Sequence, residues 1–71
     1  MSFDKDRLAS NIRAERARMR ISQEELAERS GVSAAAILSY ESAAYVPGVD
    51  KLYAIAEALN CTPDLLLGWG E

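Results

Sequence analysis

Ser22-Gln23-Glu24-Glu25-Leu26-Ala27-Glu28-Arg29-Ser30-Gly31-Val32-Ser33-Ala34-Ala35-Ala36-Ile37-Leu38-Ser39-Tyr40 is the stretch on which the reading of this chain turns. Ser22 and Glu25 fit the S-x-x-E capping box that opens a helix, each side chain offering an acceptor to an otherwise unpaired N–H. Leu26 and Ala27 form its inward face. Gly31 is the residue type that ends a helix in the left-handed region, and Val32 is an apolar plug in the turn. Ser33 is a natural N-cap. Ala34-Ala35-Ala36 follow, and alanine has the highest helix propensity. Ile37, Tyr40 and Glu41 then fall together at i, i+3, i+4. The segment is therefore predicted as two short helices across a tight turn, with Ala27 small enough for them to cross closely.

Outward from this unit, apolar residues keep helical spacing and nothing alternates like a strand. Leu8, Ile12 and Met19 share one face of a first helix over about 6–18. Glu15 falls on that face too, at an edge where an arginine neighbour would pair with it. Residues 43–48 form a loop punctuated by Pro47-Gly48. Leu52, Ile55, Ala56 and Leu59 give a fourth helix an amphipathic stripe. Asn60 suits its left-handed end. Thr62-Pro63-Asp64 supplies an N-cap, a proline at N1 and an acid in the first turn, starting a short fifth helix that Gly68 stops. The expectation is an all-α fold of five helices, one domain over 1–71, without linker or repeat.

Composition narrows the function. The chain has 71 residues, no histidine and one cysteine, Cys61. A lone thiol without histidine builds neither a disulfide nor a zinc site. No nucleophile–base pair, metal cluster or phosphate loop is present, so neither an enzyme nor a cofactor is expected. No apolar run reaches the ~18 residues of a membrane span, and Met1–Asp6 lacks the apolar core of a secretory signal. A cytoplasmic chain is expected. The net charge is -3, unevenly spread: residues 1–20 carry six basic against three acidic groups, and residues 21–71 two against eight. Attraction to an anionic partner must come from the first helix, whose charges could equally be a solvated face.

The set Ile12, Arg16, Ser22–Ala27, Gly31-Val32-Ser33, Ile37, Tyr40-Glu41, Pro47, Leu52, Ile55-Ala56, Leu59, Asp64 and Leu66-Leu67 resembles the Cro/repressor-type, lambda-repressor-like helix-turn-helix family. The resemblance runs from about Leu8 to Leu67. It implies a DNA-binding transcriptional regulator, commonly a homodimer on two half-sites of double-stranded DNA, with helix 3 (about 34–41) facing the major groove. It implies that Gln23 meets a phosphate, that Arg16 and Glu41 pair to tie the first helix to the end of the third, and that Ser42 touches the DNA backbone.

Two departures stand out. Positions that usually read bases are here Ala34, Ala35 and Ala36, which cannot hydrogen-bond a base edge, although alanine can touch a thymine methyl. The loop after Glu41 is uncharged, Ser42-Ala43-Ala44-Tyr45-Val46, where the family usually has glycine and basic residues. Three readings stay open: weak or shape-based DNA binding, a recognition surface turned to a protein partner such as that of an antitoxin or antirepressor, and alanines introduced to abolish binding. For the first, the candidate DNA contacts are Arg13, Arg20, Ser22, Gln23, Ser33, Ala34, Ala35, Ser39, Ser42 and Tyr45. Leu65 and Trp69 are candidate dimer contacts, Trp69 folded on the core being the alternative. Tyr40 and Tyr53 are expected in the core or at its flank, and Cys61 as a small buried apolar residue.

Overall fold

The computed structural model describes residues 3–69. It holds five helices: α1 (Lys5–Met19), α2 (Gln23–Ser30), α3 (Ala34–Glu41), α4 (Val49–Ala58) and α5 (Pro63–Leu67), with no strand among the described residues. Each expected helix is present. α1 is one residue longer at each end than the periodicity indicated, because Asp4 caps it by accepting from the N–H groups of Asp6 and Arg7.

The turn chemistry follows the sequence closely. Ser22, Ser33 and Thr62 cap α2, α3 and α5 through their hydroxyls. Gly31 sits at φ 72 with open space where a Cβ would be, so its requirement is conformational rather than steric. Asn60 is left-handed at φ 57, as expected. The capping box at Ser22 is only half formed. Ser22 Oγ accepts from Glu25 N–H at 3.0 Å, but the Glu25 carboxylate is drawn forward to Arg29 at 3.3 Å. An i,i+4 pair with a cation on the next turn competes with the reach back to the cap.

One apolar core joins the helices: Leu8, Ile12, Ile21, Leu26, Val32, Ile37, Leu52, Ile55, Ala56, Leu59 and Leu66. α1 packs on α3 and α5, α2 on α3 and α4, and α4 on α5. Met19, Tyr40 and Cys61 are partly buried against this core. Burial pushes the Cys61 thiol above its ordinary value, and the nearby Glu15 carboxylate adds to the rise. The group stays a protonated, apolar filler. Tyr53 departs from expectation: its side chain is 65% exposed on the outer face of α4. It stands one residue beyond Leu52, and a one-residue step on a helix turns a side chain through ~100°.

α1 acts as a strut whose polar side chains close the ends of other helices. Asn11 donates to the Leu66 carbonyl at 3.0 Å, at the end of α5. Arg18 donates to the Leu59 carbonyl at 3.0 Å, at the end of α4, and pairs with Glu15 at 2.7 Å. That pairing resolves the position of Glu15 at the edge of the apolar face. The last carbonyls of a helix carry partial negative charge and lack intrahelical donors, so cations and amides on α1 fix the directions of α4 and α5.

The loop after α3 contains Ala43 at φ 63. An L-residue pays roughly 1–2 kcal/mol for that region. Ala43→Gly relieves the strain at some cost in unfolded-chain entropy. The expected result is a gain of ~0.5–1 kcal/mol, a rise of about 3–6 °C in thermal midpoint for a domain of this size, read by circular dichroism.

Candidate nucleic-acid interface

α3 has two faces of opposite character. Ile37 is fully buried and Glu41, one turn on, is 4% exposed. Ala34, Ala35 and Leu38 lie on the other side, exposed, with Leu38 at 56%. Spacings of 34/38 and 35/38 place these three on one helical face. That face borders an open groove completed by Arg16, Ser22, Gln23 and Glu24. The groove thus has the start of α2 on one rim and the start of α3 on the other. N–H groups in a helix's first turn lack intrahelical acceptors and carry partial positive charge, which favours an anion at the α3 rim, while at the α2 rim the Glu24 carboxylate opposes it.

Beneath the groove lies a charge network. Glu41 accepts from Arg16 Nε at 2.8 Å and Arg16 Nη2 at 3.1 Å, and from Gln23 Nε2 at 3.0 Å. Arg16 Nη1 also donates to the Ile21 carbonyl at 2.9 Å. The Arg16–Glu41 pair implied by the sequence is therefore present and bidentate, tying α1 to the end of α3. No buried polar side-chain atom among the described residues lacks a partner.

The expected DNA contacts divide by position. Ser22, Gln23, Ala34 and Ala35 come together at the groove. Arg20, Ser33, Ser42 and Tyr45 are exposed but outside its lining, and Ser39 is partly buried. Ser33 and Ser42 cap the two ends of α3, and the Ser42 hydroxyl donates to the Ser39 carbonyl at 3.1 Å. Arg13 donates to the Glu41 main-chain carbonyl, closing the end of α3. Gln23 keeps its amide group on Glu41. Three of the six basic residues in 1–20, Arg13, Arg16 and Arg18, are engaged by partners within the fold. Arg20, left-handed at φ 58, shows no side-chain partner among the described residues.

Leu38 and Glu24 escaped the sequence reading. Leu38 could have been found: it stands one turn beyond Ala34, on the face away from Ile37. Glu24 looked like a first-turn acid suited to the α2 dipole, and only the approach of α3 makes it a groove residue.

A capped helix, a glycine turn and a second helix held by its inner side while its outer side stays open constitute a helix-turn-helix unit. The chain belongs to the helix-turn-helix family, whose family model, described as Helix-turn-helix, matches residues 12–66. Repressor protein C2 of Salmonella phage P22 is 38% identical over 60 residues, covering 84% of this chain; the chain spans only 28% of that protein's length. A crystal structure of the P22 c2 repressor with a synthetic operator superposes with a TM-score of 0.80 at 38% identity, covering 84% of this chain and 91% of that one. The restriction-modification controller protein C.AhdI of Aeromonas hydrophila superposes with a TM-score of 0.85 at 25% identity, covering 89% and 96%. These relatives agree with the expected lambda-repressor-like fold and with a chain that is not an enzyme. Among the described residues no helix is long and apolar enough to cross a membrane.

Proposed function

We propose that this chain is a DNA-binding transcriptional regulator, a repressor of phage or mobile-element type that acts as a homodimer, with α3 in the major groove of duplex DNA. The observation that supports it most is the open outer face of α3 beside the start of α2, on a family fold whose P22 member was crystallised on an operator. The duplex it would bind puts it in the cytoplasm. Dimerisation is part of the proposal: Leu65 in α5 is 38% and Trp69 just after it 48% exposed, and a two-fold pair would set two α3 helices about 34 Å apart.

Titration of a labelled duplex, selected from a random library, tests the reading. Binding is expected at about 50 mM salt, weakening as salt rises because phosphate contacts release counterions. Arg20→Ala should lower the log–log salt slope by about 1, its side chain being a cation without an internal partner. A folded protein that binds no duplex at that salt rejects the proposal. The second reading, a protein-interaction module, is favoured by the apolar outer face of α3 and the net charge of -3. A partner complex that duplex DNA fails to compete away would select it.

A further inference from the structure

The outer face of α4 has no partner within the fold. Val49 is 81% and Tyr53 65% exposed, one helical turn apart, and Ala54 stands half-buried beside them. Two shallow grooves run along this face and share Tyr53 and Glu57. One passes over Val49, Asp50 and Ala54, the other past Cys61 to Pro63 at the start of α5. The strip is apolar at its centre, and its charged lining residues are two carboxylates, Asp50 and Glu57. Neither side chain has an ion-pair or hydrogen-bond partner among the described residues. Asp50 lies in the first turn of α4, where the helix dipole favours an acid. Glu57 lies in the last turn, where the dipole opposes one and no basic residue of that turn compensates. Two cations stand nearby and line neither groove. Lys51 is two steps of ~100° from Val49 around the helix, and Arg18 is held by Glu15 and the Leu59 carbonyl.

We propose that this face of α4 docks a cationic amphipathic helix of a protein partner. Aliphatic side chains of that helix would cover Val49, Tyr53 and Pro63, and its lysine or arginine side chains would meet Asp50 and Glu57. Amphipathic helices seat in apolar grooves through side chains spaced one turn apart. Charge selects the occupant. The phosphates of a duplex would face two carboxylates, and the helix N-termini at the two ends of the strip already carry Asp50 and Asp64 in their first turns. A second copy placed by a two-fold axis would bring the same patch against itself, gathering both pairs of carboxylates in one contact. A partner that brings positive charge neutralises them, and an exposed tyrosine is a side chain that commonly anchors such contacts. α4 packs on α2 and α5, and none of these residues lines the α3 groove, so the proposal stands independently of DNA binding.

The test titrates two synthetic helical peptides into the nitrogen-15-labelled full chain, one built of leucine and arginine in amphipathic register, the other with glutamate in place of arginine. The arginine peptide should shift the amide signals of Val49, Tyr53, Ala54, Glu57, Cys61 and Thr62. It should bind about ten-fold tighter than its glutamate counterpart, the factor for two exposed charge contacts turned from attraction to repulsion. Tyr53→Ala should weaken it about ten-fold. Asp50→Asn with Glu57→Gln should shrink the preference for arginine to under about three-fold, the folding of both variants being checked by thermal melting. Equal binding of the two peptides, or no binding of either, overturns the proposal. So do shifts centred elsewhere: on Glu24 and Glu28 they would mark general attraction to acidic residues, and on Ala34, Ala35 and Leu38 they would place a protein partner on α3 instead. Sedimentation of the free protein covers the remaining occupant. If Tyr53→Ala turns a dimer into a monomer, the face belongs to a second copy and the proposal fails.

Discussion

Arg16→Ala is expected to remove about half of the stability of the fold at 25 °C. The two partners of this pair are unequally buried: the Arg16 side chain is 23% exposed and that of Glu41 3%. Removing the arginine strands a carboxylate in the interior with one remaining side-chain donor, Gln23 Nε2. Breaking a buried pair from one side typically costs ~3–5 kcal/mol, and a chain of this length has only about 4–10 kcal/mol in total. The Ile21 carbonyl loses its guanidinium donor as well. Glu41→Gln should cost less, about 1–2 kcal/mol, because the amide oxygen still accepts and the arginine left over can reach water. Arg16→Lys should fall between them, since an ammonium cannot span both carboxylate oxygens. Urea unfolding of the three variants gives the order. Equal midpoints for Arg16→Ala and Glu41→Gln would mean that the asymmetry of burial does not govern the pair.

That network also explains how far the sequence could be read. Local chemistry was legible: Ser22, Gly31, Ser33, Asn60 and Thr62 each do at their position what their residue type favours, and five helices follow. The apolar stripe of α4 named its own core residues. Long-range polar pairing was legible only at Arg16 and Glu41, through the family resemblance. Arg13 and Arg18 look like Arg16 as charges along one helix, and only the folded chain shows them reaching the end of α3 and the end of α4. A count of charge along the first helix therefore overstated what it could offer to phosphate. Tyr53 failed for a simpler reason, since an aromatic ring next to a core leucine can be turned outward by one helical step. Glu25 failed because two partners, the cap N–H and Arg29, compete for one carboxylate.

The neighbours Ile37 and Leu38 should respond to the same change in opposite ways. Ile37 is fully buried between the helices and anchors α3 to Leu26 and Val32 in the common core, while Leu38 stands outside it. Ile37→Ala removes three carbons from a packed site and leaves a cavity that helices fixed by α1 cannot close. The expected cost is ~2–5 kcal/mol, toward the upper end because the Arg13 and Arg16 contacts hold the end of α3 in place and resist collapse. Leu38→Ala should change stability by no more than about 0.5 kcal/mol, as exposed substitutions generally do, alanine being the better helix former. Denaturant unfolding of the two variants measures the difference. If Leu38→Ala proved as destabilising as Ile37→Ala, Leu38 would have to be buried in solution, against another copy or another element. The open face of α3, and with it the groove that a duplex would enter, would then not exist in the free protein.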